Sequence, residues 1–136
     1  MAIEIMEYTE YNENEIKKLY SEVGWYAYTE DMPALMQGYK NSLLVLAAYE
    51  NNNLLGIIRV VGDGSTIIFV QDILVFPENQ RKGIGTALLQ DVLKRYADVR
   101  QIELVTDNTE KTIAFYKSLG FKELTEIGCC GFMRCS

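Results

Sequence analysis

Asp72-Ile73-Leu74-Val75-Phe76-Pro77-Glu78-Asn79-Gln80-Arg81-Lys82-Gly83-Ile84-Gly85-Thr86-Ala87-Leu88-Leu89 decides the fold. Its first residues close an apolar, β-branched run that begins at Thr66, and Pro77 stops that strand because it has no N–H for the ladder. Ile84, Leu88, Val92 and Tyr96, with Leu89 and Leu93 beside them, repeat at the spacing of one buried helical stripe. Between strand and helix lies Gln80-Arg81-Lys82-Gly83-Ile84-Gly85. A helix start carries unpaired N–H groups and the positive end of the helix dipole. Glycines there let an anion approach those groups, and Arg81 and Lys82 add formal charge at the same place. The composition is that of a phosphate cradle.

Outward from this unit the chain alternates between the two periods. Ile3 and Ile5 alternate with Glu4 and Glu7 as in a first strand. Asn12 followed by Glu15 reads as a helix start, with Ile16, Leu19, Tyr20 and Val23 at helical spacing. Gly24 to Glu30 reads as irregular and aromatic, and Asp31 with Pro33 opens a second helix through Leu35, Met36 and Tyr39. Leu43–Glu50 and Leu54–Val61 read as a hairpin around Asn51-Asn52-Asn53. Beyond the long helix, Ile102–Thr106 reads as an interior strand. Asn108 or Thr109 caps a helix that Gly120 ends, and Phe121–Glu126 and Phe132–Cys135 read as two closing antiparallel strands. The expectation is a single domain over residues 1–136 of α/β (α+β) class. It has a mixed, mainly antiparallel sheet of about seven strands, helices on both faces, and the order β-α-α-β-β-β-α-β-α-β-β.

Composition removes several chemistries. Net charge is −6, which disfavours a nucleic-acid surface and leaves any anionic ligand to local donors. Histidine is absent from the 136 residues, so no Ser-His or Cys-His pair and no His-ligated metal can form. Cys129, Cys130 and Cys135 are too few for a usual zinc site and read as buried or edge-strand free thiols; no metal is expected. The longest apolar run, Leu43 to Tyr49, is too short to span a bilayer, and nothing resembles a signal peptide, so the expected address is cytoplasmic.

The cradle admits three readings. A P-loop needs Lys and Ser or Thr after the last glycine, where Thr86-Ala87 stands. A dinucleotide fingerprint needs a third glycine near Leu88 and a shorter loop, although Glu103 sits at a suitable distance. The third has Gln or Arg, two residues, Gly, one residue, then Gly or Ala, after a strand ending near proline, and Gln80, Gly83 and Gly85 fill it. That pattern resembles the GNAT superfamily of acyl-CoA-dependent N-acyltransferases. Ala114-Phe115-Tyr116-Lys117-Ser118-Leu119-Gly120-Phe121 is similar to the same family's helix-to-strand element, and the β-α order is similar throughout.

The resemblance implies an acetyl-CoA-dependent N-acetyltransferase acting on a primary amine by direct attack, without a covalent enzyme intermediate. Gln80, Arg81, Lys82, Gly83, Ile84, Gly85 and Thr86 would surround the pyrophosphate. Backbone groups of Ile73 and Val75, with Leu74 between them, would pair with the pantetheine arm. Phe115 would lie beside the cofactor, and Tyr116 would protonate the leaving thiolate. A phenol near pKa 10 stays protonated at neutral pH and lies within about two units of a thiol near 8.5. The amine poses the larger demand, roughly 4 kcal/mol of deprotonation at pH 7. Where relatives often place a Glu on this strand stands Gln71, so Asp72 is offered as base or amine-binding group, or as the partner of Arg59. Asp72 faces away from Gln71 in a regular strand, and a bulge would change that. The family's cofactor-touching Asn falls at Thr109, with Asn108 one step earlier; both also suit a helix cap. Trp25, Tyr26 and Tyr28 occupy the segment where the family builds its acceptor pocket, and Gln71 on the central strand is offered with them as substrate-binding. A homodimer through the C-terminal strands is compatible with their edge. A coenzyme A-binding module without catalysis is the alternative.

Overall fold

A computed structural model describes residues 2–135. The chain forms two compact units, Met1–Leu104 and Val105–Ser136. In the first, the elements are β1 (Glu4–Glu7), α1 (Glu13–Glu22), α2 (Tyr26–Thr29), α3 (Met32–Lys40), β2 (Leu44–Glu50), β3 (Asn53–Gly62), β4 (Ile67–Val75), α4 (Ile84–Arg95) and β5 (Gln101–Leu104). The strands lie in the order β1-β2-β3-β4-β5. All neighbours are antiparallel except β4 and β5, which the α4 crossover makes parallel.

Local chemistry accounts for the boundaries. The Asn12 side chain accepts from Glu15 N–H at the start of α1, and Asp31 accepts from Ala34 N–H at the start of α3. Asn51 and Asn52 both have positive φ, 50° and 66°, the backbone that lets two strands return tightly at Glu50–Asn53. Ile16, Leu19, Tyr20, Leu35 and Tyr39 pack with Val45, Ala47, Ile57 and Leu74 on one side of the sheet. The alternate residues of β3, Ile58 and Val60, point the opposite way, where α4 packs and buries Leu88, Leu89 and Val92. The segment read as irregular contains the short helix α2, held by ring packing among Tyr20, Trp25 and Tyr28 rather than by a side-chain cap.

One irregularity in β4 decides which side chains share a face. Val60 pairs with Val70 and Arg59 with Asp72, so Gln71 is an extra residue, a β-bulge. The bulge reverses the facing of the strand: Val70 shares a side with Val60, whereas Asp72 and Leu74 share the side of Arg59 and Ile57.

The second unit holds α5 (Glu110–Ser118), capped by Thr109 Oγ1 on Thr112 N–H. The two closing strands expected from sequence do not form among the described residues, and the sheet has five strands rather than seven. Instead, Glu123 and Glu126 cap each other reciprocally around a 3₁₀ turn at Leu124–Ile127, and Lys117 bridges both carboxylates at 3.3 and 3.0 Å. These side-chain bonds compete with a ladder for the same backbone. Gly128, at φ 79°, then redirects the chain. Cys129, Cys130 and Cys135 are unpaired and exposed, not buried or edge-strand thiols. Among the described residues, no helix is long and apolar enough to cross a membrane.

Candidate active site

The cradle begins where β4 ends. A single 3₁₀ turn, Pro77–Asn79, carries the chain to Gln80, whose Nε2 donates to the Val75 carbonyl at 3.0 Å. Arg81 (φ 65°) and Gly83 (φ 79°) both adopt left-handed backbone. Gly83 is the N-cap of α4 and offers no side chain to bond there. The first helical bond runs from Ala87 N–H to the Gly83 carbonyl, so the N–H groups of Ile84, Gly85 and Thr86 have no helical acceptor. Arg81 and Lys82 are exposed beside them. For a non-glycine residue the left-handed region costs about 1–2 kcal/mol, and at Arg81 that strain sits in the loop between β4 and α4.

The strand leading in has a free edge. β5 pairs β4 only from Ile67 to Val70, while β3 pairs it on to Val75. From Gln71 to Val75 the side of β4 opposite β3 therefore has no strand beside it among the described residues. Phe76 N–H donates to the Leu55 carbonyl on β3. By antiparallel alternation, Leu74 and Asp72 direct their backbone groups at β3, and Ile73 and Val75 direct theirs at the free edge. Of the three residues expected to meet a pantetheine arm, Ile73 and Val75 present edge groups, although Gln80 already holds the Val75 carbonyl. Leu74 is 2% exposed and buries its side chain in the core.

Below the bulge lies a buried polar cluster. Asp72 is 2% exposed and Arg59 6%, joined by an Nε–Oδ2 contact of 2.7 Å. Tyr20 donates to Asp72 Oδ2 at 2.8 Å and Tyr28 to Oδ1 at 2.7 Å. Tyr39 Oη lies 2.9 Å from Tyr20 Oη, and Arg59 also stands over the Tyr39 ring. Burial alone would lower Arg59, but the adjacent Asp72 carboxylate more than offsets it and holds the guanidinium charged. Burial, reinforced by neighbouring hydroxyls and carboxylate, raises the Tyr20 phenol well above its ordinary value. Of the alternatives left by sequence, this arrangement realises the Arg59 pairing. Sequence reasoning missed Tyr20 and Tyr39; the available signal was that two buried phenols need polar partners.

Tyr28 links the cluster to the surface. Its oxygen, besides donating to Asp72, accepts from exposed Gln71 Nε2 at 3.1 Å. The bulge makes that possible by bringing Gln71 and Asp72 within reach of one phenol. Burial and the Asp72 carboxylate push Tyr28 up, while the Gln71 bond opposes them. The Trp25 ring lies 6.3 Å from that of Tyr28 and stays partly exposed. Tyr26 is 60% exposed and does not join the cluster. An open groove of about 570 Å³ between the start of α1, the β2–β3 hairpin and Pro77–Asn79 is lined by none of the expected site residues.

In the second unit, Tyr116 is the buried side chain of α5, edge-on to Phe115 at 5.0 Å and to Phe121 at 5.8 Å. Burial raises its phenol above 10.0, with the Thr106 hydroxyl opposing. Thr109 spends its hydroxyl on the α5 cap, and Asn108 is exposed before it.

The chain is similar to known proteins in sequence and fold. A family model described as an acetyltransferase (GNAT) domain matches residues 41–123. An uncharacterized N-acetyltransferase of Gracilaria tenuistipitata var. liui is 30% identical over 116 residues, 81% of this chain. The match spans only 62% of that relative's length. A GNAT-family acetyltransferase from Streptococcus pneumoniae TIGR4 is 34% identical with a TM-score of 0.89, covering 99% of this chain and 98% of that one. An N-acetyltransferase from Thermoplasma acidophilum, solved in complex with coenzyme A, has a TM-score of 0.73 at 19% identity over 90% of this chain and 91% of its own. At that identity the likeness concerns the fold.

Proposed function

The chain belongs to the GNAT acetyltransferase family, and on that premise we propose that its two units act as one domain transferring acetyl from acetyl-CoA to a primary amine. The observation that carries this reading is the run from free strand edge to phosphate cradle. Ile73 and Val75 offer edge groups, and one 3₁₀ turn later the unpaired N–H groups of Ile84, Gly85 and Thr86 meet the charges of Arg81 and Lys82. An extended, amide-bearing arm ending in a pyrophosphate fits that sequence of donors. The Thermoplasma protein's coenzyme A complex supports the same ligand.

The amine attacks the thioester carbonyl directly, forming the C–N bond as C–S breaks. Tyr116 supplies a proton to the departing thiolate, a role supported by a phenol that burial keeps protonated at neutral pH. Phe115 packs on that phenol. Asp72, offered from sequence as a base, has both carboxylate oxygens engaged by Arg59, Tyr20 and Tyr28. Accepting a proton would break the ion pair with Arg59. In this reading Asp72 therefore anchors the acceptor side, and the amine loses its proton to water. Thr109 serves α5 as a cap, which leaves Asn108 as the polar side chain free to meet the cofactor.

The test is calorimetry with acetyl-CoA, paired with thiol release across a panel of alkyl, aryl-alkyl and polyamine acceptors. Binding with turnover on at least one amine is the expected result; no binding sinks the reading. A second reading, a coenzyme A-binding module without catalysis, draws on Gln71 standing at the bulge where an ionisable base would serve. Binding with no turnover on any amine would favour it.

A further inference from the structure

The cluster beneath the bulge has a proton inventory with one consequence for what can bind above it. Asp72 is acceptor-only, and its Oδ1 takes the single proton of Tyr28 at 2.7 Å while Oδ2 takes Arg59 Nε and Tyr20. Tyr28 thus has no proton left for any other neighbour. This fixes Gln71 as well, because only its Nε2 can then bond the Tyr28 oxygen, as found at 3.1 Å. The Tyr28 oxygen has two lone pairs, and Gln71 uses one of them. What remains at this half-buried position is a hydrogen-bond acceptor that cannot become a donor without breaking a buried charge-assisted bond.

We propose that the Tyr28 oxygen, held proton-inward by buried Asp72, is the anchor that selects the acceptor substrate by taking one of its N–H groups, so that the site favours a primary amine over an equally charged group lacking N–H. The proposal rests on the acetyltransferase reading and adds the recognition element to it. Tyr28 does not act as a base: relaying a proton to Asp72 would neutralise the partner of Arg59. Its part is to hold the nitrogen, leaving the amine's lone pair free once a proton has gone to solvent. Arg59, Tyr20 and Tyr39 are positioning residues, since they hold the carboxylate that holds the phenol. The partly exposed Trp25 ring beside Tyr28 gives an apolar or aromatic substituent a surface to lie on.

Trp25 is the only tryptophan of the chain, so its fluorescence reads the site directly. Benzylamine and benzyltrimethylammonium carry the same charge and ring, and only the first has N–H groups. With coenzyme A present, wild-type protein is expected to bind benzylamine about tenfold more tightly or better, as one such hydrogen bond allows. Tyr28→Phe keeps the ring and removes the acceptor; its ratio should fall to within about threefold of one, less than a single net hydrogen bond. The ratio is taken within each protein, so a partly unfolded variant still reports it. Gln71→Leu leaves the Tyr28 oxygen with one more free lone pair and should keep the discrimination or increase it. Equal or tighter binding of the trimethylammonium by wild type overturns the proposal and makes the aromatic faces the recognition element. So do no binding of either probe, unchanged discrimination in Tyr28→Phe, and loss of discrimination in Gln71→Leu. Calorimetry with coenzyme A on the same protein separates the two levels. Coenzyme A binding without amine discrimination overturns the Tyr28 anchor alone, whereas absence of coenzyme A binding overturns the acetyltransferase reading and the anchor with it.

Discussion

The cradle at Arg81–Thr86 and the cluster at Asp72 both hang from β4, and they are built by opposite means. The cradle is contiguous chain: its donors are backbone N–H groups, its shape comes from the left-handed Arg81 and Gly83, and its charges face water. The cluster is side chains brought from α1, α2, α3, β3 and β4 to one buried carboxylate. A backbone site is indifferent to most side-chain changes and sensitive to φ. A buried side-chain site is the reverse, because each member leaves unsatisfied partners behind when it is removed. Donor binding and acceptor recognition should therefore fail separately, under different mutations.

The largest expected effect falls on the cluster. Asp72→Ala leaves the Arg59 guanidinium buried without a counter-ion and two hydroxyls without their acceptor. Removing one member of a buried pair typically costs about 3–5 kcal/mol, against a total stability of about 5–15 for a domain. Urea unfolding should show a loss of that size, and Asp72→Leu with Arg59→Met should recover part of it, since no orphan charge then remains. A loss under about 1 kcal/mol would mean the cluster does not anchor the sheet.

Next in size is a change that touches neither region. Tyr116→Phe should lower turnover at least about 10²-fold, some 2.7 kcal/mol, with coenzyme A affinity and stability near wild type. Unchanged turnover would remove Tyr116 as the acid. The pH profile gives an independent check. Burial raises the Tyr116 phenol above 10.0, so its proton is present throughout the neutral range and is lost only at more alkaline pH than for a free phenol. Wild-type turnover should rise with pH as the amine deprotonates, and no falling limb should appear below about pH 10.

The same contrast explains what can be read from the amino-acid sequence. The cradle is legible because its parts are adjacent: proline to stop β4, two basic residues, two glycines and an apolar helical stripe stand in order along the chain. Caps at Asn12, Asp31 and Thr109 are legible for that reason too. The cluster is legible only as a pairing of Arg59 with Asp72. Tyr20 and Tyr39 read as helical core, and periodicity does not say where a phenol's oxygen ends. The bulge at Gln71 carries no local mark, since an extra residue in β4 is defined by what β3 places opposite it. Phe121–Glu126 misleads because what replaces the expected strand is not visible in the segment's own composition. The Lys117–Glu123–Glu126 bridge and the reciprocal cap make a turn the closer partner for that backbone.

The smallest and most discriminating change separates two glycines that sequence treats as one motif. Gly83 has φ 79°, and nothing lies within 4 Å of where a Cβ would stand, so Gly83→Ala introduces backbone strain and no clash. That strain is worth about 1–2 kcal/mol and acts on the loop that shapes the cradle. Gly85 is not among the positive-φ residues, and its added Cβ would meet Ile73 Cδ1 at 3.8 Å and Val75 Cγ2 at 3.9 Å, ordinary contact distances. That methyl points at β4 side chains, and alanine is the better helix former by about 0.5–1 kcal/mol. Gly85→Ala should therefore hold or raise stability and keep coenzyme A affinity within about threefold, less than 1 kcal/mol. Gly83→Ala should lower both, in calorimetry and urea unfolding alike. If Gly85→Ala weakened binding as much as Gly83→Ala, the cradle would depend on an absent Cβ at 85 and not on backbone conformation at 83. The division between a backbone site and a side-chain site would then fail at its clearest point.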